Sequence, residues 1–441
     1  MQYITERSHN MRKFTRNVLA LIVAAAMLLT AAGCSRGEDK QLRPLTVWVF
    51  SEQYRDQLLS CFGDDFPAID WEPRIEIVAP EDMDSKLEEA VIKGSGLPDV
   101  FMLAPDDLYR YTNSELTAEL GSLERSFTSS GYFSYAIDAG RDKDGTLKAV
   151  CWQPDPGLFF YRRSIAKAYL GTDDPEEIQR QISDWDGFRK TALAIREGSR
   201  GKTSMVVGIE DMMRTYMAAD SEGWIFDNRL TVPPTAASFL EYATQLADDE
   251  LIYEAEQWSA AWVGGISDPQ SVFGYFSSGM GMHSVLEKAC GGTSEGSGSF
   301  GDWAAVKGPQ SSNWGGCWLA VYSGTQLPEE AETFLRYFTA EEEAMVKNCL
   351  INGTFSASRT VVDEIKYDAQ FYENFLGGQN LCTVLSDAAG SAEMHIHSEY
   401  ESVINAAFAE CVRSCAFGHK TRDAALDDFV RTVEAAFPEL L

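Results

Sequence analysis

The chain has 441 residues, 45% of them hydrophobic and 12% aromatic, with 37 Lys+Arg against 67 Asp+Glu, a net charge of −30 at pH 7. That length is comfortable for two domains sharing a cleft. The acidic balance repels phosphate backbones and anionic headgroups and argues against a nucleic-acid partner. It is spread along the chain rather than gathered in a tail, as on a solvated surface.

The first element is residues 11–34. Arg12, Lys13 and Arg16 precede an apolar run from Val18 to Leu29, and Ala31-Ala32-Gly33 then lead to Cys34. A permanent membrane helix needs about 20 apolar residues. This run is shorter, and its charge and small-residue end are those of a secretory signal. Met11 reads as the natural start. The Cys after Ala-Ala-Gly resembles the lipobox of bacterial lipoproteins, although Ala31 stands where Leu is commonest. The resemblance implies cleavage before Cys34 and lipid on its sulfur and amine; the alternative is an ordinary signal peptide with a chance Cys. Removing 1–33 leaves 33 Lys+Arg against 66 Asp+Glu, a net of −33. No later apolar run is long enough to span a membrane.

Residues 34–44 read as a flexible tether. Leu45–Phe50 is a buried strand, Tyr54–Phe62 a helix, and Arg74–Val78 alternates as a second strand. Met83, Leu87, Ala90 and Val91 mark a helix stopped by Gly94-Ser95-Gly96. Asp99–Leu103 is a third buried strand. Strand, helix, strand, helix, strand predicts a parallel sheet with both faces covered. Ligands bind beyond the carboxyl ends of such strands, here Phe50–Gln53 and Ala104–Asp107. Asp142–Gly145 is a turn before Leu147–Trp152; Gly140 stands where a calcium loop needs its first ligand. Trp185–Ile195, capped by Ser183 or Asp184, and Thr235–Leu246 are helices. Pro328–Phe338 is another, with Thr339 and Glu342 as a capping box for the next. Ser398–Phe437 is largely helical.

Eight cysteines follow Cys34 with no C-x-x-C pair. They read as free thiols, Cys411 and Cys415 at i, i+4 included. Gly292–Gly296 fits G-x-S-x-G and Gly296–Gly301 fits G-x-G-x-x-G. Both lie in one Gly/Ser loop without the strand–turn–helix that either chemistry needs. His395, His397 and Glu399 are too few for zinc, so no metal, cofactor or catalytic residue is assigned.

In this order the pieces resemble an extracellular solute-binding protein of an ABC importer, of the maltose-binding-protein group (family 1 carbohydrate binders). Leu45–Val49 resembles the family's first strand. Lys86-Leu87 through Gly94-Ser95-Gly96-Leu97-Pro98-Asp99-Val100-Phe101 resembles its "K-(x)n-G-x-G-P-D-(hydrophobic)" segment, and Leu116–Leu120 its "gL-x-x-L". Gly145–Pro154 with Phe159-Phe160-Tyr161 resembles its hairpin, hinge and "x-x-Y-N" strand. Asp184–Phe188 resembles "T-W-x-E-L", Phe276–Met282 "F-x-x-G-x-x-A-M", and Trp314-Gly315-Gly316 to Ser323 "G-G-x-x-(hydrophobic)-x-x-x-S". The resemblance implies two α/β lobes joined by a multi-strand hinge, the periplasmic-binding-protein-like fold, closing over solute. It places the N-terminal lobe at 45–152 plus 308–354 and the C-terminal lobe at 153–306 plus 356–441. Crossings fall near Trp152–Pro156, Val306–Gly308 and Phe355–Ser358.

A sugar offers hydroxyls to carboxylates and amides, and a C–H face to aromatic rings. The candidate contacts are Phe50, Ser51, Glu52, Asp106, Trp152, Gln153, Asp155, Glu210, Asp211, Ser284 and Trp314. Asp106 and Asp155 fall on acidic contact positions of the family. Structural alternatives stand beside them: Asp106, Glu210 and Asp211 as helix caps, Trp152 and Trp314 as core. The expected protein is a monomeric, lipid-anchored, extracytoplasmic receptor that delivers a small carbohydrate to permease subunits and is not an enzyme. A secreted glycan hydrolase and a sensing lipoprotein are the other two readings.

Overall fold

The computed structural model describes residues 44–61, 73–129 and 131–440, so the signal segment 1–33, Cys34 and all of the tether but Pro44 lie outside the described residues. No helix among the described residues is long and apolar enough to cross a membrane.

The chain opens as its hydrophobic pattern requires. Strand β1 (Thr46–Val49), helix α1 (Glu52–Cys61), β2 (Arg74–Ile77), α2 (Pro80–Lys93) and β3 (Val100–Leu103) follow one another. β1 pairs in parallel with both β2 and β3. Helix α2 starts on Pro80 and stops at Gly94, whose φ of 64° is the left-handed conformation that glycine adopts without strain. The predicted turn forms, with Asp142 Oδ1 accepting from the backbone N–H groups of Asp144 and Thr146 at 2.9 and 2.8 Å.

One long strand organises the rest. β4 (Ala149–Arg162) is buried along its whole length. Its first half pairs antiparallel with the strand at Asn313–Val321, from Ala149 opposite Ala320 to Pro156 opposite Asn313. Its second half pairs antiparallel with β5 (Gly274–Ser278) and β6 (Trp303–Val306). The exchange of partners falls between Pro156, opposite Asn313, and Gly157, opposite Ser278. Each proline lacks the N–H that a sheet interior uses, so β4 gives this ladder no donor at Pro154 or Pro156, just before the partner changes. The Asn313–Val321 strand, β7, shifts register twice beside it and continues onto β3. Gly316 on β7 has φ 106°, and a Cβ there would lie 2.4 Å from the Gln153 carbonyl oxygen. Only glycine lets the two backbones come this close.

Helices cover the sheet: α3 (Trp185–Ser199), α4 (Glu210–Met217), α5 (Pro234–Asp248), α6 (Pro328–Thr339), α7 (Glu342–Asn352), α8 (Leu381–Gly390), α9 (Glu401–Ala416) and α10 (Arg422–Ala436). Buried apolar side chains form two clusters. The first holds Val47, Leu103, Trp152 and Trp318, and also Trp262, Trp303 and Leu385. The second holds Phe159, Phe188, Met212, Trp224, Phe408 and Phe429.

The expected capping box at Thr339 and Glu342 does not form. Helix α7 begins after Glu341 with no side-chain cap. Thr339 ends α6, and its hydroxyl donates to the Leu335 carbonyl at 2.7 Å. Asp184, in contrast, caps α3 as expected, accepting from the Gly187 N–H at 2.7 Å. The eight cysteines after Cys34 are unbridged, seven of them buried. The Gly/Ser loop at 291–301 joins a short helix (Glu287–Ala289) to β6, the reverse of a nucleophile elbow.

Candidate functional site: a cavity beyond the end of β3

The chain leaves β3 through Pro105, which opens a tight helical turn over Pro105–Asp107 and puts Asp106 at the surface. Across from it, the buried pair Val206-Val207 runs through Gly208 into α4. On a helix, positions i, i+3, i+4 and i+7 share a face. On α4 these are Glu210, Met213, Arg214 and Met217, and all four line one cavity of about 420 Å3. Helix α9 supplies Glu401 and Asn405, the segment before it supplies residues 393–398, and Asn313 enters from β7. The volume lies within the range of about 300–1,000 Å3 usual for small-molecule sites.

The cavity's polar wall is built by specific pairings. Glu210 Oε1 accepts from Arg413 Nη1 at 2.6 Å, which ties α9 to α4. Asp211 is buried and accepts from Gln257 Nε2 at 2.5 Å and from Trp262 Nε1 at 3.0 Å, one on each oxygen. Burial pushes its carboxyl up to about 7, the two hydrogen bonds opposing. Glu401 accepts from the His397 backbone N–H at 2.7 Å and is likewise raised by burial to about 7. Trp224 Nε1 donates to Asn405 Oδ1 at 2.8 Å. The Arg214 guanidinium lies 5.5 Å over the Trp314 ring.

Of the residues named from sequence, Asp106, Glu210 and Asp211 line this cavity. Trp314 is half-buried behind Arg214. The others lie elsewhere. Phe50 and Ser51 are half-buried, Phe50 packing edge-on to Tyr54. Glu52 is exposed and faces Arg55 across one helical turn. Trp152 is buried between Tyr54 and Phe338. Gln153 is buried and donates to Gln57 Oε1 at 2.8 Å. Asp155 is buried where β4 changes partners; its Oδ2 accepts from the Ser278 hydroxyl at 2.5 Å and its Oδ1 from the Met280 N–H at 3.3 Å. Burial raises it to about 6 against those two bonds. Ser284 is exposed in a wide helical turn at Met282–Leu286.

Sequence reading missed Arg214, Asp220, Asn313, Glu401 and Asn405 as cavity residues. The α4 face was open to discovery, since Glu210, Met213, Arg214 and Met217 keep helical spacing. Asp220 and Asn313 reach the cavity through tertiary packing and carry no local signal. His395 and His397 also line it, with rings stacked at 5.9 Å. Among the described residues no group of three or more His, Cys, Asp and Glu comes together as a metal site.

The fold is shared with solved structures. The chain superposes on an extracellular solute-binding protein family 1 structure with a TM-score of 0.77 at 17% identity, covering 90% of this chain and all of that one. The sugar-binding protein MalE of Xanthomonas citri matches with a TM-score of 0.72 at 16% identity, over 89% of this chain and 97% of that one. The galacto-N-biose-/lacto-N-biose I-binding protein of an ABC transporter from Bifidobacterium longum matches with a TM-score of 0.66 at 17% identity, over 90% and 97%. No curated protein sequence matches the chain. The sequence pattern described as bacterial extracellular solute-binding protein matches residues 69–372, well over half of the chain. This chain belongs to the bacterial extracellular solute-binding protein family.

Proposed function

We propose that this protein is the lipid-anchored receptor of an ABC importer and captures a carbohydrate by closing two lobes on it. The lobes are 45–152 plus 308–354 and 153–306 plus 356–441, with Cys34 as the lipid site. The observation that carries this reading is the make-up of the cavity wall. Asp106 follows β3, whose Leu103 belongs to the first apolar cluster. Met213 on α4 and the Phe408 helix α9 belong to the second. A ligand held there touches both sides, and only contacts that differ between open and closed states shift that balance. Two neighbours in fold, the sugar-binding protein MalE and the lacto-N-biose I-binding protein, support a saccharide. The partner change in β4 supports the hinge.

The test is a thermal-shift screen of the purified protein against mono- and oligosaccharides, amino acids, polyamines and divalent metals. A ligand at a hundredfold excess over its Kd stabilises the native state by about 2.7 kcal/mol. The expected outcome is a shift with one saccharide class and no product on incubation. A shift confined to amino acids or metals, or turnover of a glycan, sinks the carbohydrate-receptor reading.

A further inference from the structure

Among the described residues, Asp106, Glu210, Asp211, Asp220, Glu393 and Glu401 bring carboxyls to the cavity lining, against the guanidinium of Arg214 and the imidazoles of His395 and His397. Several are committed to protein donors: Glu210 to Arg413, and Asp211 to Gln257 and Trp262. Asp220 differs. It is only 6% exposed. Its Oδ2 accepts from the Gly223 N–H at 2.9 Å, while its Oδ1 has no hydrogen-bond partner. Asn313 Oδ1 is a second buried oxygen of the cavity wall without a donor; the Asn313 amide nitrogen is spent on Met394 Sδ at 3.3 Å. Folded chains rarely leave buried acceptors unpaired, so each one asks for an explanation. Both orphans here are acceptors, and both belong to residues that line the cavity.

The rest of the wall narrows what can fill it. The apolar lining includes Ile396, small alanines and Met213, Met217 and Met394, soft thioethers that suit C–H groups. Trp224 is in the wall but buried, its N–H spent on Asn405, so it offers no open ring face. Among the described residues the lining therefore offers no bare Trp, Tyr or Phe face on which a neutral sugar ring would stack, and it carries an excess of negative charge. A neutral hydroxyl would satisfy the orphan oxygens but not that charge. An ammonium does both, because it has three donors and no acceptor. We infer that the solute of this cavity is a saccharide carrying a protonated amine, with the ammonium held at Asp220. The inference rests on the carbohydrate reading above and narrows it to an amino sugar. The raised Asp211 and Glu401 carboxyls agree with it, since a bound cation offsets the burial that raises them.

The experiment is isothermal titration calorimetry of the mature protein. The probes are glucosamine, galactosamine and the β-1,4-linked glucosamine dimer, each beside its N-acetyl and its hydroxyl counterpart, with spermidine as a non-sugar amine. At least one amine is expected to bind about tenfold or more tightly than both of its counterparts. That margin is lost in Asp220→Asn and reduced in Glu401→Gln, and unchanged melting temperatures show that the variants fold. If Asp220→Asn does not fold, Glu401→Gln carries the test. A counterpart that binds as tightly as its amine, or no binding by any amino sugar, overturns the inference. Binding of a neutral sugar alone leaves the carbohydrate receptor standing, whereas binding of spermidine with no saccharide overturns both.

Discussion

Asp155 and Asp220 are both buried aspartates, 6% exposed each, yet they sit in regions built for different ends. Asp155 lies where β4 changes partners, and protein donors engage both of its oxygens. Asp220 lies on the cavity wall, and one of its oxygens has none. Burial alone therefore does not separate a structural carboxylate from a ligand-binding one. The pattern of partners does. A carboxylate satisfied from within holds the fold, and one left half-satisfied beside open space is arranged for something that arrives later.

The largest effect should come from the satisfied side. Asp155→Ala leaves the Ser278 hydroxyl and the Met280 N–H without their acceptor at the partner change. An unpaired buried polar group costs about 1–3 kcal/mol, so urea unfolding should show a loss of about 3 kcal/mol. Asp220→Ala removes only the Gly223 contact and should cost about 1 kcal/mol, with its larger effect on ligand affinity. If the two variants lose equal stability, the contrast between the strand's partner change and the cavity is wrong.

A pH series sharpens the same contrast. Asp155, Asp211 and Glu401 are raised to about 6, 7 and 7 from ordinary values of 3.8, 3.8 and 4.5. A carboxyl with a folded pKa above its unfolded one binds its proton more tightly when folded. The stability it contributes is full below about pH 4 and is lost as pH rises through 6 to 7. Each pKa unit is worth about 1.4 kcal/mol, so each group should contribute at least that across the window. The ligand-free protein should melt lower at pH 8 than at pH 5, and Asp211→Asn should flatten the slope. Saturating amino sugar should flatten it too, through the cavity carboxyls but not Asp155. A melting temperature that rises from pH 5 to 8 would contradict these assignments.

The comparison also explains what the sequence revealed. Elements set by local periodicity were legible: the three parallel strands, the α2 stop at Gly94, the Asp142 turn. The family's ordered motifs gave the fold. The cavity was legible only where a strand end or helix start marks it, at Asp106, Glu210 and Asp211. Asp155 and Trp152 were chosen by the same logic of position, but the chain folds them inward against Ser278, Tyr54 and Phe338. Which way a side chain beside the partner change points depends on residues about a hundred or more positions away. Asp220, Asn313 and Glu401 meet for the same non-local reason, and no window of sequence holds all three.

Helix caps give the smallest test, because two of them read alike in sequence. Asp184 and Thr339 each carry an oxygen suited to a helix start. Asp184 has extended backbone and accepts from Gly187 three residues on, so Asp184→Ala should cost about 1 kcal/mol. Thr339 is still inside the last turn of α6, where its N–H side is already helical. Its hydroxyl turns back to Leu335, a bond that slightly opposes the helix rather than starting one. Thr339→Val keeps the shape at a fully buried position and should change stability by less than about 0.5 kcal/mol, read by the same urea titration. A loss as large as that of Asp184→Ala would mean that Thr339 caps α7 in solution.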